Sequence, residues 1–196
     1  MLLIMEFKST ITREEIVALP GAAYEGRVVV VESDDEIDQA LAPLLGAKVV
    51  GFDTETRPAF RKGVSYPVSL LQLGVEDYVV LFRLNKIGLS EKLTSFLSNP
   101  DTIKVGVGIR DDISALQRLK KFNPQSFVEL QSVVADYGIS DKSFAKLMAI
   151  IFGVHVSKRQ RVSDWSVNKL SEAQIRYAAT DAWGAAIMYN KLLSGK

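Results

Sequence analysis

Cysteine is missing from this chain, which excludes disulfides, iron–sulfur clusters, thiolate zinc sites and cysteine nucleophiles. Histidine is almost missing. With His155 alone, a multi-histidine metal site is excluded, and a Ser-His-Asp triad would hang on that one residue. There is no excess of charge of either sign: Lys+Arg 24 against Asp+Glu 23 leaves a formal net charge of +1. The chain as a whole therefore lacks the basic surplus that often marks a nucleic-acid binder. No uncharged apolar run approaches the ~18 residues of a membrane span. The apolar start MLLIM has no basic leader and meets Glu6 at once. The expected location is the cytoplasm, or the nucleus in a eukaryote, with no membrane contact. Any chemistry must rest on carboxylates, hydroxyls, amides and bound cations.

What is present suits a folded core: 196 residues, 47% of them hydrophobic, enough to bury roughly 70% of the unfolded surface. No repeat, low-complexity tract or Pro/Gly/Ser linker divides the chain, so one main domain is expected over 28–196, behind an extension over 1–27 with a short helix. Thr12 with Glu15, Ser33 with Glu36 and Ser171 with Gln174 have capping-box spacing. They predict helices over 12–19, from 33 to about Leu45, and along the C-terminal segment. Strands are expected at RVVVVE (27–32), KVVGFDTET (48–56) and IKVGVGI (103–109). FVELQ (127–131) adds a short one, and PVSLLQLGV (67–75) and YVVLFRL (78–84) read as a hairpin turning at Glu76-Asp77. Further helices are expected over 88–98, 112–121, near 132–138 and 142–151. Strands first in a meander and then alternating with helices predict an α/β domain with a mixed sheet.

Three segments carry acids beside buried apolar runs. Asp53 and Glu55 follow VVGF and, two apart on a strand, point to one face. Paired carboxylates repel unless something positive sits between them, and hard divalent cations prefer oxygen ligands. Asp111 and Asp112 follow Gly106 and Gly108, but a dinucleotide fingerprint would need glycine where Asp111 stands. Tyr177 and Asp181 are four apart and share a helix face. Taken singly, each pair has an ordinary explanation: a polar strand exit, helix N-capping, or a buried hydroxyl satisfied by a carboxylate.

Taken together, the order D-x-E, then Asp after G-x-G, then Y-x-x-x-D resembles the DEDDy group of 3′–5′ exonucleases, nearest to ribonuclease D and the exonuclease domain of Werner-type helicases. VVGFDTET, SLLQLG, VGVGIRDD, FVEL and RVSDWSVNKLSEAQIRYAATDA carry the likeness from about residue 28 onward. The resemblance implies a ribonuclease H-like mixed sheet of about five to six strands flanked by helices. It also implies two divalent cations, Mg²⁺ or Mn²⁺, held by Asp53, Glu55, Asp112 and Asp181, with Asp53 bridging. The family's spacing falls on Asp112 and makes Asp111 a neighbour. The histidine subtype would place its base at 176, where this chain has Arg176, with Tyr177 next to it.

The implied reaction is stepwise hydrolysis from a 3′ end, releasing nucleoside 5′-monophosphates, with Tyr177 orienting the attacking water. Thr54, Lys158, Arg161 and Trp165 are expected substrate contacts, the last three from the family's K-x-x-R-x-S-x-W pattern. Ser163 fits that pattern, and Arg159 stands where a small polar residue is usual. Trp165 has two readings, stacking on a base or burial against the last helix, and Phe60 and Tyr66 are candidate stacking residues. His155 is read as a packing residue. The expected partner is a nucleic acid with a 3′ end. DNA or RNA, single strand or recessed duplex, and action beside a helicase or repair partner stay open. The rival reading is a catalytically silent nucleic-acid-binding module on the same fold.

Overall fold

The computed structural model describes residues 7–61 and 63–194, so the apolar start MLLIM lies outside the described residues. In chain order the elements are α1 (Arg13–Val17), β1 (Gly21–Ala22), β2 (Arg27–Val31), α2 (Ile37–Leu41), β3 (Val49–Thr56), β4 (Val68–Gly74), β5 (Tyr78–Phe82), α3 (Leu84–Ile87), α4 (Glu91–Leu97), β6 (Ile103–Gly106), α5 (Ile109–Leu119), β7 (Phe127–Glu129), α6 (Leu130–Val133), α7 (Phe144–Phe152), β8 (His155–Val156) and α8 (Glu172–Ser194). β2, β5, β4, β3, β6 and β7 lie side by side in one mixed sheet, within the expected range of strand number. β2 with β5, β3 with β6 and β6 with β7 are parallel, whereas β4 is antiparallel to both β3 and β5. β1 and β8 form a separate parallel pair.

Alternation along β3 sets the layers. Val50 and Phe52 point into a core shared with Ile37, Leu41, Leu93, Phe96 and Leu116 of the flanking helices. Gly51 points the other way, onto α8. A Cβ there would stand 1.7 Å from the Ala182 carbonyl oxygen, so only glycine allows this approach of strand and helix. Leu70 and Leu81 continue that face and pack with Ala178, Ala179 and Ala182. The small residues of α8 lay the helix close on the sheet. Among the described residues no helix is long and apolar enough to cross a membrane.

Local signals place most elements. The Thr12–Glu15 box closes at both ends, Glu15 N donating to Thr12 Oγ1 at 3.2 Å and Thr12 N to Glu15 Oε2 at 2.8 Å. The Ser171–Gln174 box opens α8 in the same manner, and the β4–β5 hairpin turns at Glu76-Asp77. Several expectations shift, among them the strand over 127–131, which ends at Glu129 where α6 begins. The helix from 33 to Leu45 is three short pieces, 3-10 turns at Asp34–Glu36 and Ala42–Leu44 around α2. Pro43, without an N–H, cannot continue the helical bonding. The strand expected to 84 ends at Phe82, and Leu84–Ile87 coil into α3. The helix near 132–138 is α6 followed by a 3-10 turn, Val134–Tyr137. Finally, β6 ends at Gly106 and α5 starts at Ile109, earlier than 112. Gly108 turns the chain there with φ +77, and the Glu129 carboxylate accepts from Gly108 N and Ile109 N at 2.9 Å each.

Candidate active site

Past Gly51, the α8-facing residues of β3 are Asp53 and Glu55. One turn of α8 beyond Tyr177 brings Asp181 to meet them. Carboxylate oxygens of Asp53, Glu55 and Asp181 all lie within 4.8 Å of one another, a spacing able to hold a metal ion. No salt-bridge partner for any of the three is found among the described residues. Asp112 is turned toward Thr54, whose hydroxyl donates to Asp112 Oδ1, while Thr54 N donates to Asp53 Oδ1 at 2.9 Å. Three of the four expected ligands thus converge, and the fourth is tied to them through Thr54.

Electrostatics bears the crowding out. Burial, followed by the charges of Asp181, Asp112 and Glu55, holds the Asp53 carboxyl well above the usual carboxylate range. Burial and the charges of Asp181 and Asp112 push Glu55 up to about 9, against a lowering pull from Arg161. Burial raises Asp181 to about 7 despite a hydrogen bond with Tyr177. Asp112 is raised by burial too, partly offset by Thr54. Burial and the facing acids also push the Tyr177 hydroxyl far above its ordinary value, so it stays a proton donor. Carboxyls that hold protons for want of a counter-charge are a donor set suited to hard divalent cations.

Asp53, Thr54, Glu55, Tyr177 and Asp181 line a cleft of about 290 Å³ to which Lys158 and Arg161 also contribute. Of the two readings of Trp165, the structure shows the buried one. It is 0% exposed, packed among Leu70, Leu170 and Ala178, with its ring 6.0 Å from that of Tyr177. An indole so enclosed presents no open face, and its ring lies beside that of Tyr177. Phe60 is 87% exposed and lines a second cleft of about 390 Å³ with Tyr66, Arg57, Arg61 and Asp164. Arg57 covers the Tyr66 ring at 4.8 Å and pairs with Asp164 at 3.4 Å. His155 is paired with Gly21 in the small sheet and does not line the acid cleft. Asp111 sits exposed in the first turn of α5, and neither it nor Asp112 is the cap. That task falls to Glu129, which sequence reasoning missed, although FVEL marks the segment.

A 3′–5′ exonuclease family model matches residues 28–194. Ribonuclease D of Gluconacetobacter diazotrophicus is 30% identical over 168 residues, covering 84% of this chain and 42% of that protein. The mouse bifunctional 3′–5′ exonuclease/ATP-dependent helicase WRN is 35% identical over 150 residues, covering 74% of this chain and 11% of that protein. The chain thus spans less than half the length of these two relatives. In three dimensions the Nibbler EXO domain of Aedes aegypti superposes with a TM-score of 0.81 at 22% identity, over 89% of this chain and 92% of that one. That likeness concerns the fold, a ribonuclease H-like mixed sheet. Family match, sequence relatives and fold agree, and the chain belongs to the 3′–5′ exonuclease domain family.

Proposed function

We propose that this chain is a divalent-metal-dependent 3′–5′ exonuclease of the tyrosine (DEDDy) subtype, acting on a nucleic-acid 3′ end. The observation that carries the reading is the convergence of Asp53, Glu55 and Asp181 within 4.8 Å with no salt-bridge partner among the described residues. Asp112, raised by burial and reached through Thr54, is the fourth member of the set. When bound there, divalent ions activate the attacking water and stabilise charge on the phosphate and the leaving 3′-oxygen.

The chain's own groups divide the remaining work. The four carboxylates hold the cations and release their protons as they do so. The Tyr177 hydroxyl remains protonated, so it cannot take a proton from water. It donates a hydrogen bond and orients the attacking oxygen. Lys158 and Arg161, on the cleft wall, neutralise the phosphates of the strand. Thr54 fixes Asp53 through its backbone N–H and Asp112 through its hydroxyl.

The test is a 3′-labelled single strand of DNA and of RNA, each with Mg²⁺ or Mn²⁺ and with EDTA. Stepwise release of 5′-monophosphates, lost in EDTA, is expected. A wild-type chain that binds the strand and never shortens it would make this a silent binding module and sink the proposal.

A further inference from the structure

β4 (Val68–Gly74) is buried along its whole length, and its sequence VSLLQLG is apolar except for Ser69 and Gln72. Gln72 is 0% exposed, and neither its Oε1 nor its Nε2 has a hydrogen-bond partner among the described residues. A buried amide left unpaired costs free energy. The neighbouring Leu71 and Leu73 show that leucine is well housed in this strand. The register places Gln72 directly opposite Asp53 in the antiparallel pair, and residues so paired point to the same face of the sheet. Leu70 packs on Ala178 and Ala182 on that face, and a Cβ at Gly74 would stand 3.1 Å from Trp183 N. Gln72, between them in β4, therefore lies under α8, on the side where Asp53 meets Asp181.

We propose that Gln72 is a positioning residue for Asp53, its amide donating to the ionised carboxylate when the site holds its cation. The inference rests on the metal-dependent reading of the acid cluster. Among the described residues Asp53 accepts one hydrogen bond, from Thr54 N to Oδ1, and a carboxylate has further lone pairs to offer a two-donor amide. Neutrality is what the place requires. A lysine or arginine opposite Asp53 would pair with the acids and compete with the cation, and a glutamate would add another repelling charge. An amide steadies the anion and leaves its charge for the metal. Donors behind a ligand are worth about 10–100-fold in metal affinity.

The experiment is calorimetric titration of the full chain with Mn²⁺ alone, for wild type, Gln72→Met and Gln72→Leu, together with melting in EDTA. Both variants should melt in EDTA at or above the wild-type temperature, because an unpartnered amide has gone. Both should bind Mn²⁺ on the order of 10-fold more weakly. The Mg²⁺ needed for half-maximal cleavage should rise in step, with the rate recovered at saturating Mg²⁺. Unchanged Mn²⁺ affinity against a wild type that binds would overturn the inference and leave the exonuclease reading standing. Loss of folding in both variants would overturn it as well, by showing a structural role. A wild type that takes up no Mn²⁺ would bring down both.

Discussion

Lys104 and Arg83 are as deeply buried as any residue in the chain, yet both are held. Lys104 Nζ donates to the carbonyls of Asn99 at 2.6 Å and Thr102 at 2.7 Å, and lies 5.3 Å from the centre of the Phe127 ring. Arg83 pairs with Glu32 at 3.0 Å and donates to the Val167 carbonyl. Asp53, Glu55 and Asp181 are treated the opposite way, with acid set against acid. Burying charge is costly unless it is paired and hydrogen-bonded. The fold meets part of that cost for these two cations through hydrogen bonds. Desolvation still lowers Lys104 to about 8, and Arg83 Nε is left without a partner among the described residues. The acids are given no salt bridge among those residues. The first arrangement ties loops together, and the second keeps a place for something from outside the chain.

The sharpest way to break this contrast is Asp53→Asn. Cleavage of a 3′-labelled strand should fall on the order of 10³-fold, while the metal-free chain melts higher because repulsion is relieved. A lower melting temperature in EDTA would mean that Asp53 is structural, like Lys104. Tyr177→Phe should lower kcat by roughly 10²-fold with Mn²⁺ binding retained, since in the proposed reaction the hydroxyl orients water and holds no cation. Full turnover in the phenylalanine variant would assign that orientation to another group.

Stability against pH probes the same unmet cost. Glu55 sits at about 9 and Asp181 at about 7 in the folded chain, both above ordinary carboxyls near 4. Above that lower value the folded chain retains protons that the unfolded chain has released, so stability falls as pH rises. The melting temperature in EDTA should therefore drop between about pH 5 and about pH 9. Adding Mn²⁺ at the upper end should restore it, because a ligand that binds only the folded state stabilises it. A flat profile would show that the acids do not feel one another.

Lys104→Met tests the other half of the contrast. It strands the carbonyls of Asn99 and Thr102 and should cost about 1–3 kcal/mol in urea unfolding, with unchanged activity per folded molecule. The smallest effect is expected for Arg161→Ala. Strand binding should weaken, and its salt dependence should flatten by about one phosphate contact, a change read from affinities at several salt concentrations.

Features written in neighbouring residues were legible before any coordinates. The paired acids of β3, the Tyr177–Asp181 step, the capping boxes and the hairpin each depend on a few adjacent side chains. Contacts between distant segments were not. Glu129 caps a helix that begins 20 residues earlier, and no local pattern announces such a bond. In sequence Trp165 is open to two readings, stacking or burial, and only the packing of Leu170 and the distant Leu70 over it leaves it 0% exposed. The bond from Thr54 to Asp112 likewise joins a strand to a helix 58 residues on. Glutamine in SLLQLG reads as one polar residue in an apolar run, and only the register sets it against Asp53.

The contact of Gly51 with the Ala182 carbonyl has a consequence for how this site can age. Asp53 follows Gly51 by two residues, and Asp181 immediately precedes Ala182. The separation of these acids is therefore gauged by backbone atoms touching backbone atoms, which no exchange of core side chains can widen or narrow. The core around the site is free to drift in sequence while the gauge holds. A single methyl group at position 51 would spoil the fit without altering any acid.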